Sequence, residues 1–182
     1  MGTKVFAGFV LIGAGLLAQT VTPEAEGLPP LRGVYFHTTA GWIGLPTNPL
    51  MPMENGTAKW LLGFGHSDAV ADFRGPHAAV QTSQTKPTFY LRDIPQTSGL
   101  FLVKVTQKTE HRELKMPVSG NFVEWAHLRS SDLIPIETHH AADNVTALTP
   151  RDNLKPGEYA IVTAFDPNVD LIRAMFDFGV NP

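Results

Sequence analysis

Cysteine is absent from all 182 residues, which excludes disulfide staples, thiolate zinc sites and cysteine nucleophiles. Stability has to come from burial and hydrogen bonding. Charge is sparse too: Asp, Glu, Lys and Arg make up 17% of the chain, 14 basic against 17 acidic residues, for a formal net charge of -3. The basic residues form no run, so nucleic acid is not an expected partner, because affinity for a polyanion comes chiefly from clustered Lys and Arg that displace counterions. Apolar runs approaching membrane-spanning length are missing beyond the N-terminus. Long helices have little room either, since fifteen prolines are scattered so evenly that few proline-free windows remain.

What is present suffices for a folded core. Hydrophobic residues make up 43% and the mean hydropathy is -0.04, a balance that supports burial and lacks the charge excess of a disordered chain. The first eighteen residues read as an export signal: Lys4 is their only charge, Val5 to Ala18 is uninterruptedly apolar, and polar Gln19-Thr20 follows. A membrane anchor needs about 20 apolar residues, more than this Gly-rich run provides. The expectation is removal of residues 1–18 by cleavage after Ala18 and a secreted or periplasmic product, with no membrane span after cleavage. Residues 19–30, broken by Pro23, Pro29 and Pro30, are expected to be a flexible leader with no fold of its own.

From Leu31 onward, short segments rich in Val, Ile, Phe, Tyr and Thr alternate with Gly, Pro, Asn and Asp, the spacing of sandwiches and barrels. Candidate strands are Gly33–His37, Trp42–Leu45, Lys59–Phe64, Val70–Phe73, Ala78–Thr82, Thr88–Arg92, Leu100–Thr106, Arg112–Met116, Asn121–Ala126, Leu133–Thr138, Val145–Leu148, Glu158–Ala164 and Met175–Val180. In Leu100–Thr106, Phe101, Val103 and Val105 define a core face and Lys104 and Thr106 a wet one. The charges of His111–Lys115 are placed to pair with Lys104 or Lys108 across an antiparallel ladder. Asp166–Arg173, with Pro167 and early acids, suits the start of a short helix.

The most specific local signal is Leu154-Lys155-Pro156-Gly157-Glu158-Tyr159. Pro156 and Gly157 set a tight turn and Tyr159 then opens an apolar strand. This resembles the tyrosine corner of immunoglobulin-like sandwiches, in which the ring enters the core and the hydroxyl bonds backbone just upstream, here around Asp152–Leu154. Tyr159, Pro156 and Gly157 are accordingly structural residues.

Several segments follow in order: Gly33-Val34-Tyr35-Phe36 with Gly41-Trp42, Arg74-Gly75-Pro76-His77-Ala78, Lys86-Pro87-Thr88-Phe89-Tyr90, His111-Arg112-Glu113-Leu114, Leu154 to Tyr159 and Phe176-Asp177-Phe178-Gly179-Val180. Together they resemble a group of bacterial exported β-sandwich proteins of unknown function. The resemblance covers nearly the whole chain after the signal and implies export and a β fold; it carries no activity.

Chemical motifs are thin. Gly65-His66-Ser67-Asp68-Ala69 differs by one residue from the G-x-S-x-G nucleophile elbow, with Asp93 or Asp132 and His139 or His140 in the order a hydrolase triad requires. His139-His140 and Asp143 are metal-ligand types, but neighbours on a strand point to opposite faces, so no metal site is expected. His37, His66, His77, His111 and His127 are isolated. Glu113, Glu124, Glu137 and Glu158 show no telling interval and read as solvated acids, not as a glycosidase pair. Trp42, Trp60, Trp125, Tyr35 and Tyr90 read as core before platform. Asn55-Gly56-Thr57 and Asn144-Val145-Thr146 match the glycosylation sequon, which in a bacterial protein marks only turns.

The expectation is an all-β, antiparallel sandwich, with an immunoglobulin-like half at 99–182 and residues 31–98 as an N-terminal extension or small subdomain. Its expected role is that of an exported, non-enzymatic binding or structural module needing no cofactor. A protein or glycan at the cell envelope would be its partner, and a hydrophobic groove or sheet edge its contact surface. The competing reading is a small secreted hydrolase built on Ser67 or a histidine-centred site.

Overall fold

A computed structural model describes residues 23–48, 68–94, 99–119, 125–126, 128–166 and 169–182. The fold is all-β, and the described residues contain no α-helix. The strands are β1 (Gly33–Thr38), β2 (Gly41–Gly44), β3 (Thr47–Asn48), β4 (Asp68–Arg74), β5 (Gln81–Thr82), β6 (Phe89–Arg92), β7 (Leu100–Gln107), β8 (His111–Ser119), β9 (Trp125–Ala126), β10 (Leu133–Ile134), β11 (Ile136–Ala142), β12 (Val145–Pro150), β13 (Gly157–Asp166) and β14 (Val169–Val180). A 3-10 turn, Pro23–Ala25, precedes them.

The first sheet runs β11-β12-β6-β1-β2 and the second β3-β14-β13-β7-β8-β4, with β5, β9 and β10 paired at its margins. All pairings are antiparallel except β14 with β5. The two sheets face each other across one core. Val34 and Phe36 of β1, Phe89 and Leu91 of β6 and Leu148 of β12 meet Leu102 of β7, Tyr159 and Ile161 of β13 and Phe176, Phe178 and Val180 of β14. Phe178 lies at its centre, 4.5 Å from Phe89 and 5.6 Å from Tyr159 between ring centroids.

The second sheet is buried on its other face as well. Strand β8 pairs with β7 only at Glu113 and Arg112, beside the hairpin turn, and pairs with β4 over seven residues. Ala71 and Phe73 of β4 and Leu114 and Met116 of β8 form a second cluster with Val103, Val105, Ala160, Val162 and Met175. A ribbon of two strands therefore covers the sheet as a third layer. On β7 the expected faces hold at Val103 and Val105, buried under the ribbon, and at exposed Lys104 and Thr106; the departure is Leu102, on the Lys104 side, which is fully buried in the core between the two sheets. The unbroken apolar run Tyr159-Ala160-Ile161-Val162 is what burial on both faces demands.

Residues 23–30 lie on the outer face of the first sheet. Ala25 and Leu28 are buried with Tyr35, Tyr90, Ala141, Val145 and Ala147. The Trp42 indole donates to the Glu26 carbonyl at 3.1 Å, and Glu24 meets His139 at 3.0 Å. From Pro23 on, the expected flexible leader is therefore packed, because its two apolar side chains cover an aromatic surface that would otherwise face water.

Three further expectations change. Asp166–Arg173 does not start a helix: β13 runs to Asp166, β14 starts at Val169, and Asp166 pairs with Val169, so antiparallel pairing of the two consecutive strands overrides the local helix-start signal. Of Ala78–Thr82 only Gln81–Thr82 pairs as a strand. The first sheet is not built from residues 99–182 alone, because β6 and β1 continue it beyond β12; in the second, β14, β13, β7 and β8 come from that half and β3, β4 and β5 join them. Lys59–Phe64 and residues 121–124 lie outside the described residues.

Tyr159 opens β13 with its ring in the core, and its hydroxyl donates to the Lys155 carbonyl at 2.6 Å, one residue beyond the expected acceptor range. Gly157 takes φ +155, a region closed to most side chains. Burial raises the pKa of the Tyr159 phenol above the ordinary 10.0, and burial together with Glu24 raises that of Tyr90. The unfolded chain therefore ionises first, so the contribution of these phenols is complete below about pH 10 and is lost as pH climbs through their folded values. We expect Tyr159→Phe to cost about 1–3 kcal/mol near neutrality. The variant should also show a shallower fall in stability above pH 10; urea midpoints across that range measure both effects.

Candidate functional site

The densest polar constellation is buried beneath the β4–β8 ribbon. Arg112 on β8, Glu158 on β13 and Asp177 on β14 are 2%, 4% and 2% exposed. The guanidinium bonds in every direction: Nε donates to the Gly75 carbonyl at 3.0 Å, Nη2 to the Arg74 carbonyl at 2.8 Å, and Nη1 to Asp177 Oδ2, with Glu158 Oε2 at 3.5 Å. The Phe73 ring lies 5.5 Å from its Cζ, a cation–π contact. Asn48 donates to the second Asp177 oxygen. Glu158 accepts from the Ala78 amide at 2.8 Å and from the Gln81 side chain at 3.3 Å, and faces His77 Nδ1 at 3.1 Å.

Local sequence explains the convergence. Gly75 turns at φ +73 and places the Arg74 and Gly75 carbonyls over the guanidinium. Gly179 pairs with Gln81, whose amide fills the space a Cβ would occupy, so Gln81 reaches Glu158 only because residue 179 has no side chain.

One cation meets two carboxylates here, and the carboxylates also meet the amides of Asn48, Ala78 and Gln81 and the His77 ring. Arg112, Glu158 and Asp177 are buried, whereas the His77 side chain that meets Glu158 is 64% exposed. Glu158 was expected to be a solvated acid and is the reverse, because β13 is covered on both faces.

Other sequence candidates do not join it. Glu113 pairs with Lys108 at 3.0 Å and Lys115 at 3.4 Å, the cross-ladder contact expected from the hairpin, and Glu137 pairs with Arg151 at 3.8 Å. His139 bonds Glu24, Asp132 Oδ1 accepts from Ser131 at 3.1 Å, and Asp93 closes the end of β6 with its amide on the Asn144 carbonyl at 2.9 Å. His140 follows His139 on β11 and pairs in register with Thr146. Ser67, His66, Trp60, Asn55, Glu124 and His127 lie outside the described residues, as does the Trp125 side chain. Strand β4 starts at Asp68, where an elbow needs a helix. Tyr35 and Tyr90 are core and Trp42 stands 5.1 Å from Tyr90 at their edge, as expected. Among the described residues no group of three or more His, Asp or Glu is placed to hold a metal ion.

An open groove of about 380 Å³ among the described residues is lined by Leu100, Phe101, Leu102, Ser130 and Leu133–Ile136. It lies beside β10, which pairs with β7 at Val103 and Leu102, and its lining has no acid, base or imidazole. Sequence periodicity pointed to these residues only as core.

Comparison with known proteins adds no assignment: no family model matches the chain, and no curated protein or solved structure matches it.

We expect Arg112→Ala to cost about 3–5 kcal/mol, because it leaves two buried carboxylates without their cation. His77→Ala should be nearly neutral in the same denaturant titration. Burial works to raise the Glu113 carboxyl, but Lys108 and Lys115 outweigh it and hold the pKa below the ordinary 4.5. Its contribution is present above about pH 4.5 and lost as pH falls through the folded value, so Glu113→Gln should flatten the acid limb of the stability profile.

Proposed function

We propose that this chain is an exported, non-enzymatic binding module of the bacterial periplasm or cell surface, built on an immunoglobulin-type sandwich. The strand orders β1-β6-β12-β11 and β7-β13-β14 correspond to the A-B-E-D and C-F-G sheets of that architecture, with β8 as C′ and a tyrosine opening strand F. On this reading the sandwich uses strands from both sides of residue 98, and the β4–β8 ribbon is an elaboration of it. The N-terminal signal and the resemblance to exported bacterial proteins support the location.

The observation that carries the binding reading is the contrast between two sites. The ionisable groups that converge are sealed and saturated by structural bonds, whereas the open groove at Leu100–Ile136 is apolar and has no catalytic group. A concave apolar surface with few polar anchors suits recognition of an apolar segment of a protein or glycan-bearing partner at the envelope.

The test pairs activity with location. Ester, peptide and glycan substrates should show no turnover, and the exported protein should begin at Gln19 by N-terminal mass analysis. Turnover abolished by Ser67→Ala, or one equivalent of zinc lost on His139→Ala, would replace the binding reading with the hydrolase or metal one. Ser130→Trp, which places bulk in the groove from an exposed position, should abolish capture of an envelope partner while leaving the unfolding free energy within about 0.5 kcal/mol by urea titration.

A further inference from the structure

Strand β11 is the outermost strand of the first sheet, and among the described residues nothing pairs with its far side. Its usable length is short and sharply bounded. Pro135 precedes it without an N–H, and a bulge between His140 and Ala142 breaks the ladder at the other end. Residues 136–140 lie between.

The ladder to β12 determines which groups face outward. Arg151 donates to the Pro135 carbonyl at 2.8 Å, and Ile136 pairs with Pro150, Glu137 with Thr149 and His139 with Ala147. Hydrogen-bonded pairs alternate in an antiparallel ladder, so the odd residues bond β12 and the even ones point away from it. Ile136, Thr138 and His140 therefore present their N–H and C=O groups to the open edge.

We propose that this edge is where two copies of the chain associate, antiparallel, with Thr138 opposite Thr138 of the partner subunit on a twofold axis. This register alone uses all three outward residues on both copies, pairing Ile136 with the partner subunit's His140 and making six backbone hydrogen bonds. The same register sets Glu137 opposite His139 of the partner subunit, twice, at the close non-hydrogen-bonded positions on the outer face. Carboxylate meets imidazole there, with Glu137 carrying Arg151 of its own copy at 3.8 Å and His139 carrying Glu24 of its own copy at 3.0 Å, so the row Arg151–Glu137–His139–Glu24 crosses the contact twice. A slip by two residues in either direction forfeits backbone bonds and sets identical or uncharged side chains opposite Glu137. A second copy is thus complementary to the edge in its backbone groups and in the pairing of Glu137 with the half-exposed His139, and the contact is isologous, as a twofold dimer requires. It also brings the partner subunit's His140 beside Ile136 at the mouth of the apolar groove, adding a polar group to its apolar lining.

Two five-residue edges bury less than the roughly 1,200 Å² of a stable complex, so the dimer is weak and forms at high micromolar concentration. The proposal does not depend on what the groove binds.

Sedimentation equilibrium of the full chain from about 10 µM to about 1 mM should show a monomer–dimer equilibrium. Thr138→Pro removes an outward N–H and spares the bonds to β12, so it should weaken association at least tenfold with far-UV circular dichroism unchanged. Glu137→Lys should weaken it severalfold. Amide ¹⁵N–¹H spectra of the unmodified chain give a readout independent of the variants: with rising concentration, shifts and slowed exchange should centre on Ile136, Thr138 and His140. A chain monomeric throughout, a dimer that survives Thr138→Pro, or shifts that map elsewhere would each overturn the proposal. Association with a different extended chain in place of a second copy, mapped to the same amides, would overturn it as well.

Discussion

The buried guanidinium of Arg112 is the constraint from which the second sheet and its covering ribbon take their arrangement. A cation sealed from water is tolerable only where opposite charge and oriented carbonyls surround it. Here they come from Asp177, Glu158, Arg74 and Gly75, on three strands and the turn that follows β4. Removing one partner leaves the others uncompensated, so the group behaves as a unit. The β4–β8 ribbon would otherwise be attached to the sandwich by apolar contacts, which tolerate sliding. The ion cluster adds direction, and direction sets the position of the ribbon.

The same economy governs the outer face of the first sheet. Tyr35, Tyr90 and Trp42 form an aromatic surface that the chain covers with its own residues 23–30. Among the described residues the buried polar side chains are Arg112, Glu158 and Asp177 of the ion cluster and the threonines Thr82, Thr146 and Thr163. The apolar groove beside β10 and the outer edge of β11 are open, and both suit contact.

Much of this architecture is legible in the residues. The Gly157–Tyr159 corner is found from Pro-Gly and the following apolar strand, and the same Gly-x-Tyr spacing at Gly33–Tyr35 marks a second, unread instance. There the Tyr35 hydroxyl donates to the Leu31 carbonyl at 2.8 Å, again four residues back. The ion cluster was hidden for a physical reason: its members His77, Arg112, Glu158 and Asp177 are 19 to 46 residues apart between neighbours in the chain, and each looks like an ordinary surface charge until pairing brings them together. Yet four of the segments singled out from the sequence meet in it: Arg74–Ala78, Arg112, Glu158 and Asp177. Periodicity failed at Asp166–Arg173 because a local cap signal says nothing of a partner strand already waiting in β13. At β7 alternation finds the face that the ribbon covers, Val103 and Val105, and misses Leu102 on the opposite side, because how far the facing sheet reaches along the strand is set by distant residues.

Strand β14 occupies the very end of the chain, yet it supplies Phe176, Phe178 and Val180 to the central core, Asp177 to Arg112, and pairing edges to β3, β5 and β13. Losing this one strand would take apolar, ionic and backbone partners from several neighbours at once, so the layers it joins come apart together and not one by one.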